Sequence, residues 1–235
     1  MSGIVQHNSI TSDAQSVSIT PDAPVSAGNA LILLIVHTST DPIESVSGAT
    51  FTQRFTDTDA GFGVAIYDAP ISESGSPEIT VNFSTFENQH QLHLFESTYQ
   101  EFDKANVSLQ TASANPQGPF LGETTNPSEL VLALFVAGFD STPSMSAGAG
   151  YTAGEATIDD STLAFSEFKE LSSVGDPNAT ATASISSTTE WVMVIAAWYQ
   201  GVVGGTSSGG DGKAAYYPRR ARAHKPVRSF RRSGS

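Results

Sequence analysis

Apolar residues in this chain arrive in short bursts of strand length, and turn-forming residues separate the bursts. Ala30–Val36 reads ALILLIV, Leu130–Val136 reads LVLALFV, and Trp191–Tyr199 reads WVMVIAAWY. Between them apolar residues alternate with smaller or more polar ones: Phe62, Val64 and Ile66; Ile79, Val81 and Phe83; Leu92 and Leu94; Leu163 and Phe165; Ala179, Ala181, Ala183 and Ile185. Period two, short runs and Ser/Thr/Gly/Asn punctuation are the marks of β-strands. Helix-period patterns are nearly absent, and Thr98–Ala105 is the one stretch that reads as a short helix. An all-β fold of roughly ten to twelve strands follows.

The bursts also repeat. Asn29-Ala30-Leu31-Ile32-Leu33 lines up with Ser128-Glu129-Leu130-Val131-Leu132, and Gly48-Ala49-Thr50-Phe51-Thr52 with Gly148-Ala149-Gly150-Tyr151-Thr152. Tyr67 falls near Phe168, Ser74-Gly75-Ser76-Pro77 near Val174-Gly175-Asp176-Pro177, and Tyr99-Gln100 matches Tyr199-Gln200. The offset stays near 100 residues throughout. One such half leaves a sheet face uncovered, so the two halves are expected to pack into one antiparallel, jelly-roll-like β-sandwich. Two independent sandwiches are the alternative. The predicted body is 1–201, with halves at about 14–100 and 114–201.

Charge divides the chain at a different place. The 235 residues carry a formal net charge of -13. Residues 1–210 hold three cations (Arg54, Lys104 and Lys169) against 23 acids, a net -20, whereas 211–235 hold eight cations and one acid, a net +7. Residues 202–212 read as a flexible Gly/Ser linker. Residues 213–235 read as a basic extended arm that orders on a partner. Its predicted contact residues are Lys213, Tyr216, Tyr217, Arg219, Arg220, Arg222, Lys225, Arg228, Phe230, Arg231 and Arg232, positive charge with interleaved aromatic anchors. An acidic protein surface fits this arm, including the body of another copy in a homo-oligomer or lattice. Nucleic acid fits less well, because phosphate held by the arm lies beside a repulsive body.

The remaining motifs point away from catalysis. With no cysteine, thiolate chemistry and disulfides are excluded. His90 and His93 are three apart in a strand-like segment and so face opposite ways, unable to share a metal. His7, His37 and His224 have no acidic or histidine partner at ligand spacing, and the histidines are expected to be exposed or at the core edge. Asp57-Thr58-Asp59-Ala60-Gly61 begins like a calcium loop but lacks the later ligands, and Asp159-Asp160 matches it in the second half, so both are read as solvated hairpin turns. Gly205-Thr206-Ser207-Ser208-Gly209 matches G-x-S-x-G only as a string, inside the linker. The sequons at Asn82, Asn106 and Asn178 are products of Ser/Thr-rich composition. Trp191 and Trp198, at odd spacing in one strand, are expected to place one indole in the core and one on the surface. No cofactor or metal is expected. No run nears the roughly 18 apolar residues that span a bilayer, so no membrane partner is expected, and the N-terminal MSGIVQHNSITSD lacks the pattern of a secretory signal.

The two-half pattern (ALILLIV, a Gly-Ala-Thr-Phe-Thr turn, a hairpin ending near a Tyr, the Gly-x-Pro-x-Ile-Thr-Val strand at Gly75–Val81, then a closing apolar strand that ends the second half in WVMVIAAWYQG) resembles a β-sandwich domain of tailed-phage virion proteins and some bacterial surface proteins. The resemblance spans about residues 14–201; that family often carries Trp-Thr where Phe51-Thr52 and Tyr151-Thr152 stand here. It implies a non-enzymatic virion component, assembled in the host bacterial cytoplasm. On the head this is a decoration (cement) protein held to capsid protein; the alternative is a tail accessory or fibre module binding host-surface carbohydrate.

Overall fold

The computed structural model describes residues 3–38, 41–59, 61–84, 90–111, 117–138, 144–159, 162–174, 178–180, 182–184 and 190–201. Among them are seventeen strands and no helix. The protein is all-β and antiparallel, built of sandwiched sheets. There are more strands than the ten to twelve expected, because short strands of three to five residues form separate outer sheets.

Five strands make the first large sheet: β1 (Ile4–Ser12), β8 (His90–Ser97), β3 (Ala30–Thr38), β6 (Phe62–Pro70) and β5 (Thr52–Asp59), in that order. Beside it lies a small sheet of β2 (Ser16–Ile19), β7 (Ile79–Phe83) and β4 (Ile43–Ser47). The second large sheet runs β9 (Glu101–Thr111), β17 (Glu190–Tyr199), β11 (Glu129–Gly138), β14 (Thr162–Leu171) and β13 (Thr152–Asp159). Its small companions pair β10 (Gln117–Phe120) with β15 (Asn178–Thr180), and β12 (Ser144–Ser146) with β16 (Thr182–Ser184). Taken in chain order, the two large sheets have the same strand sequence, with β9, β17, β11, β14 and β13 standing for β1, β8, β3, β6 and β5.

Three cores alternate with these sheets. Ile32, Leu34 and Val36 meet Leu130, Leu132, Leu134, Val136, Val192, Val194 and Trp198 in a central core between the two large sheets. The intervening residues Leu31, Leu33 and Ile35 turn the other way, onto Val17, Ile79, Val81 and Phe83 of the first small sheet. In the second half Val131, Ala133, Phe135, Trp191, Met193 and Ile195 turn away from the central core in the same way, with Leu121, Met145, Ala147 and Tyr151 packed against them. Both large sheets are therefore covered on both faces, which is why their central strands are continuous apolar runs rather than alternating ones. Each half makes a two-layer sandwich of its own, and the two pack back to back through the central core.

This layering corrects two expectations. Trp191 and Trp198 do point to opposite faces, but both are fully buried, Trp191 in the second half's own core and Trp198 in the central one. The segment expected as a helix, Thr98–Ala105, instead follows the end of β8 at Ser97 and enters β9 at Glu101, an edge strand paired to β17. The three residues between carry the chain from one large sheet to the other, held by Thr98 N–H donating to Gly3 O (2.9 Å) and Gln100 N–H donating to Tyr199 O (3.1 Å).

Strand register moves the first sequence alignment by one residue: Leu33, set against Leu132 there, turns onto the small sheet whereas Leu132 enters the central core, so Ile32 is the counterpart of Leu132. Ile32 faces Asp68 and Phe95 across its two neighbours, and Leu132 faces Phe168 and Ala196. The offset is thus 100 for β6 against β14 and 101 for β8 against β17. The Tyr99 and Tyr199 aligned in sequence are not register equivalents: Tyr99 lies beyond β8 in the central core, whereas Tyr199 still pairs with Glu129 inside the sheet. At Gly48 the turn after β4 takes φ +97°, and an added Cβ would collide with the Glu78 carbonyl, so only glycine fits there. Asp59 pairs directly with Phe62 across the β5–β6 turn, as Asp159 does with Thr162. Asp59 and Asp159 thus fall at hairpin ends, and Asp160 lies outside the described residues.

Candidate functional site

The arm residues Lys213, Tyr216, Tyr217, Arg219, Arg220, Arg222, Lys225, Arg228, Phe230, Arg231 and Arg232 lie outside the described residues, as does the Gly205–Gly209 string. In the body, polar chemistry gathers where the two large sheets meet, at the edge where β1 and β8 lie over β13 and β14.

His93 sits at the centre of this seam, fully buried. Its Nδ1 lies 3.0 Å from Ser166 Oγ and its Nε2 lies 2.9 Å from Thr157 Oγ1. The chain of partners settles which nitrogen carries the proton. Gln91 Nε2 donates to the Thr162 carbonyl at 3.3 Å, which turns Gln91 Oε1 toward Thr157, and the Thr157 hydroxyl donates to it. Thr157 Oγ1 must then accept from His93 Nε2–H, leaving Nδ1 to accept from the Ser166 hydroxyl. Ser166 Oγ in turn accepts from Glu155 N–H at 2.8 Å. Burial brings the His93 pKa down to about 4; the Glu155 carboxylate works to raise it and His7 to lower it.

Glu155 reaches the same seam from the outside. Burial works to raise its pKa, but hydrogen bonds from His7 and Ser9 and the nearby histidines outweigh it, holding the carboxyl below the ordinary value. His7 Nδ1 contacts Glu155 Oε1, and Ser9 Oγ donates to Oε2 at 2.7 Å. The His7 ring also lies 5.6 Å from the Phe95 ring and 6.1 Å from Phe168. His7 thus has an acidic partner that sequence spacing does not reveal, 148 residues along the chain.

The opposite edge, where β5 and β6 lie over β9 and β17, is built from different parts. Asp68, 1% exposed, accepts from Trp198 Nε1–H at 2.9 Å and from Arg54 Nε–H at 2.8 Å. The Arg54 guanidinium lies over the Phe102 ring at 5.5 Å, and Phe102 meets Trp198 edge to face at 5.7 Å. One carboxylate, one guanidinium and two aromatic rings lock the halves together here.

Other buried polar groups bind the first half to itself. His90, expected at the core edge, is fully buried and stacks flat on Phe83 at 3.6 Å. Its Nε2 lies 2.6 Å from Asp41 Oδ2 and its Nδ1 lies 3.0 Å from Ala14 O, so neither nitrogen is left to act on a substrate. Glu96 accepts from Ser26 N–H (2.8 Å), Asn29 Nδ2 (2.6 Å) and Gln6 Nε2 (2.6 Å). His37 is also buried, against the Phe83 ring. Of the histidines expected to be exposed or at the core edge, His37 and His90 are interior because the β2–β7–β4 sheet covers the outer face of β3 and β8, and His93 because the second large sheet covers the inner one.

Among the described residues, no group of three His, Cys, Asp or Glu side chains is placed to hold a metal ion. The Ser166–His93 pair is buried, and the serine oxygen already serves Glu155 N–H and the ring, so no substrate reaches it. An open groove of about 450 Å³ lies beside the β4–β5 turn, lined by Val25, Thr50, Ile71, Glu73 and small residues, with no aromatic side chain. No described helix is long and apolar enough to cross a membrane.

Compared with protein-family models, with curated proteins and with solved structures, the chain finds no match in any of the three.

Proposed function

We propose that this chain is a non-enzymatic structural component of a tailed-phage virion, a capsid decoration protein whose acidic body is displayed and whose basic arm fastens it to capsid protein or a neighbouring copy. The observation that carries this reading is the charge division: net -20 over residues 1–210 and net +7 over 211–235. A cationic arm on an anionic body favours an acidic protein surface, and many such tethers on a lattice add through multivalency. The body supports a structural part as well, since the interior side chains of His90, His93, Glu96 and Asp68 are engaged in joining strands or halves. The carbohydrate-binding alternative has less to stand on, because both tryptophans that would stack on a sugar are buried.

The test compares the full chain with one ending at Gly201, each added to particles lacking the protein. The full chain is expected to bind and to be released by rising salt, and the shortened chain to remain folded but unbound. Equal attachment of both at every salt concentration overturns the arm's role. Absence of the chain from purified heads, by mass spectrometry, overturns the decoration reading itself.

A further inference from the structure

We propose that the β1/β13 edge of the central core is an acid-released latch: proton uptake by His93 parts β1 and β8 of the first half from β13 and β14 of the second, while the β5/β9 edge stays closed. This does not depend on the virion reading.

The geometry carries the inference. His93 lies at the contact of four strands and is sealed from water. The groups facing it are Ser9 and His7 from β1, Gln91 from its own strand, Thr157 and Glu155 from β13, and Ser166 from β14. Of these only Glu155 and His7 can be charged, and Glu155 already pairs with His7 and Ser9. A cation at His93 therefore enters a buried site whose one carboxylate is already hydrogen-bonded by His7 and Ser9.

The hydrogen-bond polarity adds to the conflict. In the neutral ring Nδ1 accepts the Ser166 proton, so protonating Nδ1 sets two protons face to face. Ser166 can turn its proton to the Glu155 carbonyl, 3.2 Å away, but the ring's charge then remains buried with no carboxylate in contact. Parting the edge hydrates the ring instead. The opposite edge holds Arg54, Asp68, Phe102 and Trp198 and no histidine among its described side chains. The two edges thus differ in what acid does to them.

The chain has no cysteine, so single reporters can be placed in the full-length protein. Ala164→Cys sits in the central core next to the seam, and Val64→Cys occupies the register-equivalent place toward the other edge. Thiol labelling with a dipyridyl disulfide, which reacts in mild acid, is measured for both between pH 7.5 and 5. Dividing one rate by the other removes the reagent's own pH dependence. A ring held to about 4 when buried and free at 6.5 when hydrated raises the ratio of Ala164→Cys to Val64→Cys labelling about 30-fold at pH 5.

In a His93→Gln background the ratio is expected to stay flat. A constant ratio in the parent chain overturns the latch, as does the same rise in the His93→Gln background. A parallel rise at both reporters overturns it too, because that is unfolding of the whole body. Should His93→Gln fail to fold, a histidine NMR titration of the parent decides: a His93 that titrates at its ordinary value while both edges stay closed removes the latch.

Discussion

The two edges of the central core occupy equivalent places in one repeated strand plan, yet they are made of opposite materials. At the β1/β13 edge the register positions of Gln91, His93 and Ser166 are polar; at the β5/β9 edge their counterparts are Val192, Val194 and Ile66. Asp68 and Trp198, the lock of the second edge, correspond to Phe168 and Ser97 at the first. Backbone pairing sets where the halves touch, and side chains set what each contact responds to. A neutral hydroxyl–imidazole chain depends on every proton being in place, whereas a carboxylate bound by a guanidinium and an indole depends on shape and charge.

The largest effect that separates the edges is expected from Trp198→Ala. It removes the biggest side chain of the central core and leaves Asp68 without one of its two donors, so a loss of about 4 kcal/mol is expected in urea denaturation. A loss under about 1 kcal/mol would mean that this edge contributes little to holding the halves.

Acid comes next and acts on the other edge. The folded pKa of His93, about 4, is below the ordinary 6.5, so the unfolded chain takes up the proton first. This contribution is whole above about pH 6.5, declines as pH falls, and is fully lost below about pH 4. The interval amounts to about 3 kcal/mol. Denaturation midpoints measured from pH 7.5 to 4 should show a decline that His93→Gln flattens; an identical slope in both chains assigns the decline to other groups.

The smallest effect is expected from Ser9→Ala, which takes one donor from Glu155 at the partly exposed rim of the seam. It should cost about 0.5–1 kcal/mol at neutral pH by the same urea measurement. A cost as large as that of Trp198→Ala would erase the distinction between a rim and a lock.

Much of this plan is legible in the residues themselves. ALILLIV and LVLALFV mark strands covered on both faces, and the recurring turn near Gly48 and Gly148 marks the repeat. What escapes is what depends on layers far apart in sequence. The alternation of Gln91, His93 and Phe95 against Leu92 and Leu94 marks a strand, but nothing nearby says that β14 buries the first set while β7 buries the second. The one-residue difference between β8 and β17 hides behind the matching Tyr-Gln pairs. Edge strand β9 escapes because most of its side chains are partly exposed on both faces, so Glu101–Ala105 shows no period of two. The charge division of the chain, in contrast, is plain from composition alone.

The short crossover from Ser97 to Glu101 has one further consequence. Two identical sandwiches meeting through such a face would form a symmetric pair, in which every substitution appears twice and dilution drives the partners apart. With both on one chain, the association is unimolecular and persists at any concentration. Each half is also free to change without its mirror image changing, so one histidine can be set at one edge and one tryptophan at the other. A paired assembly of separate copies would carry both at both edges or neither.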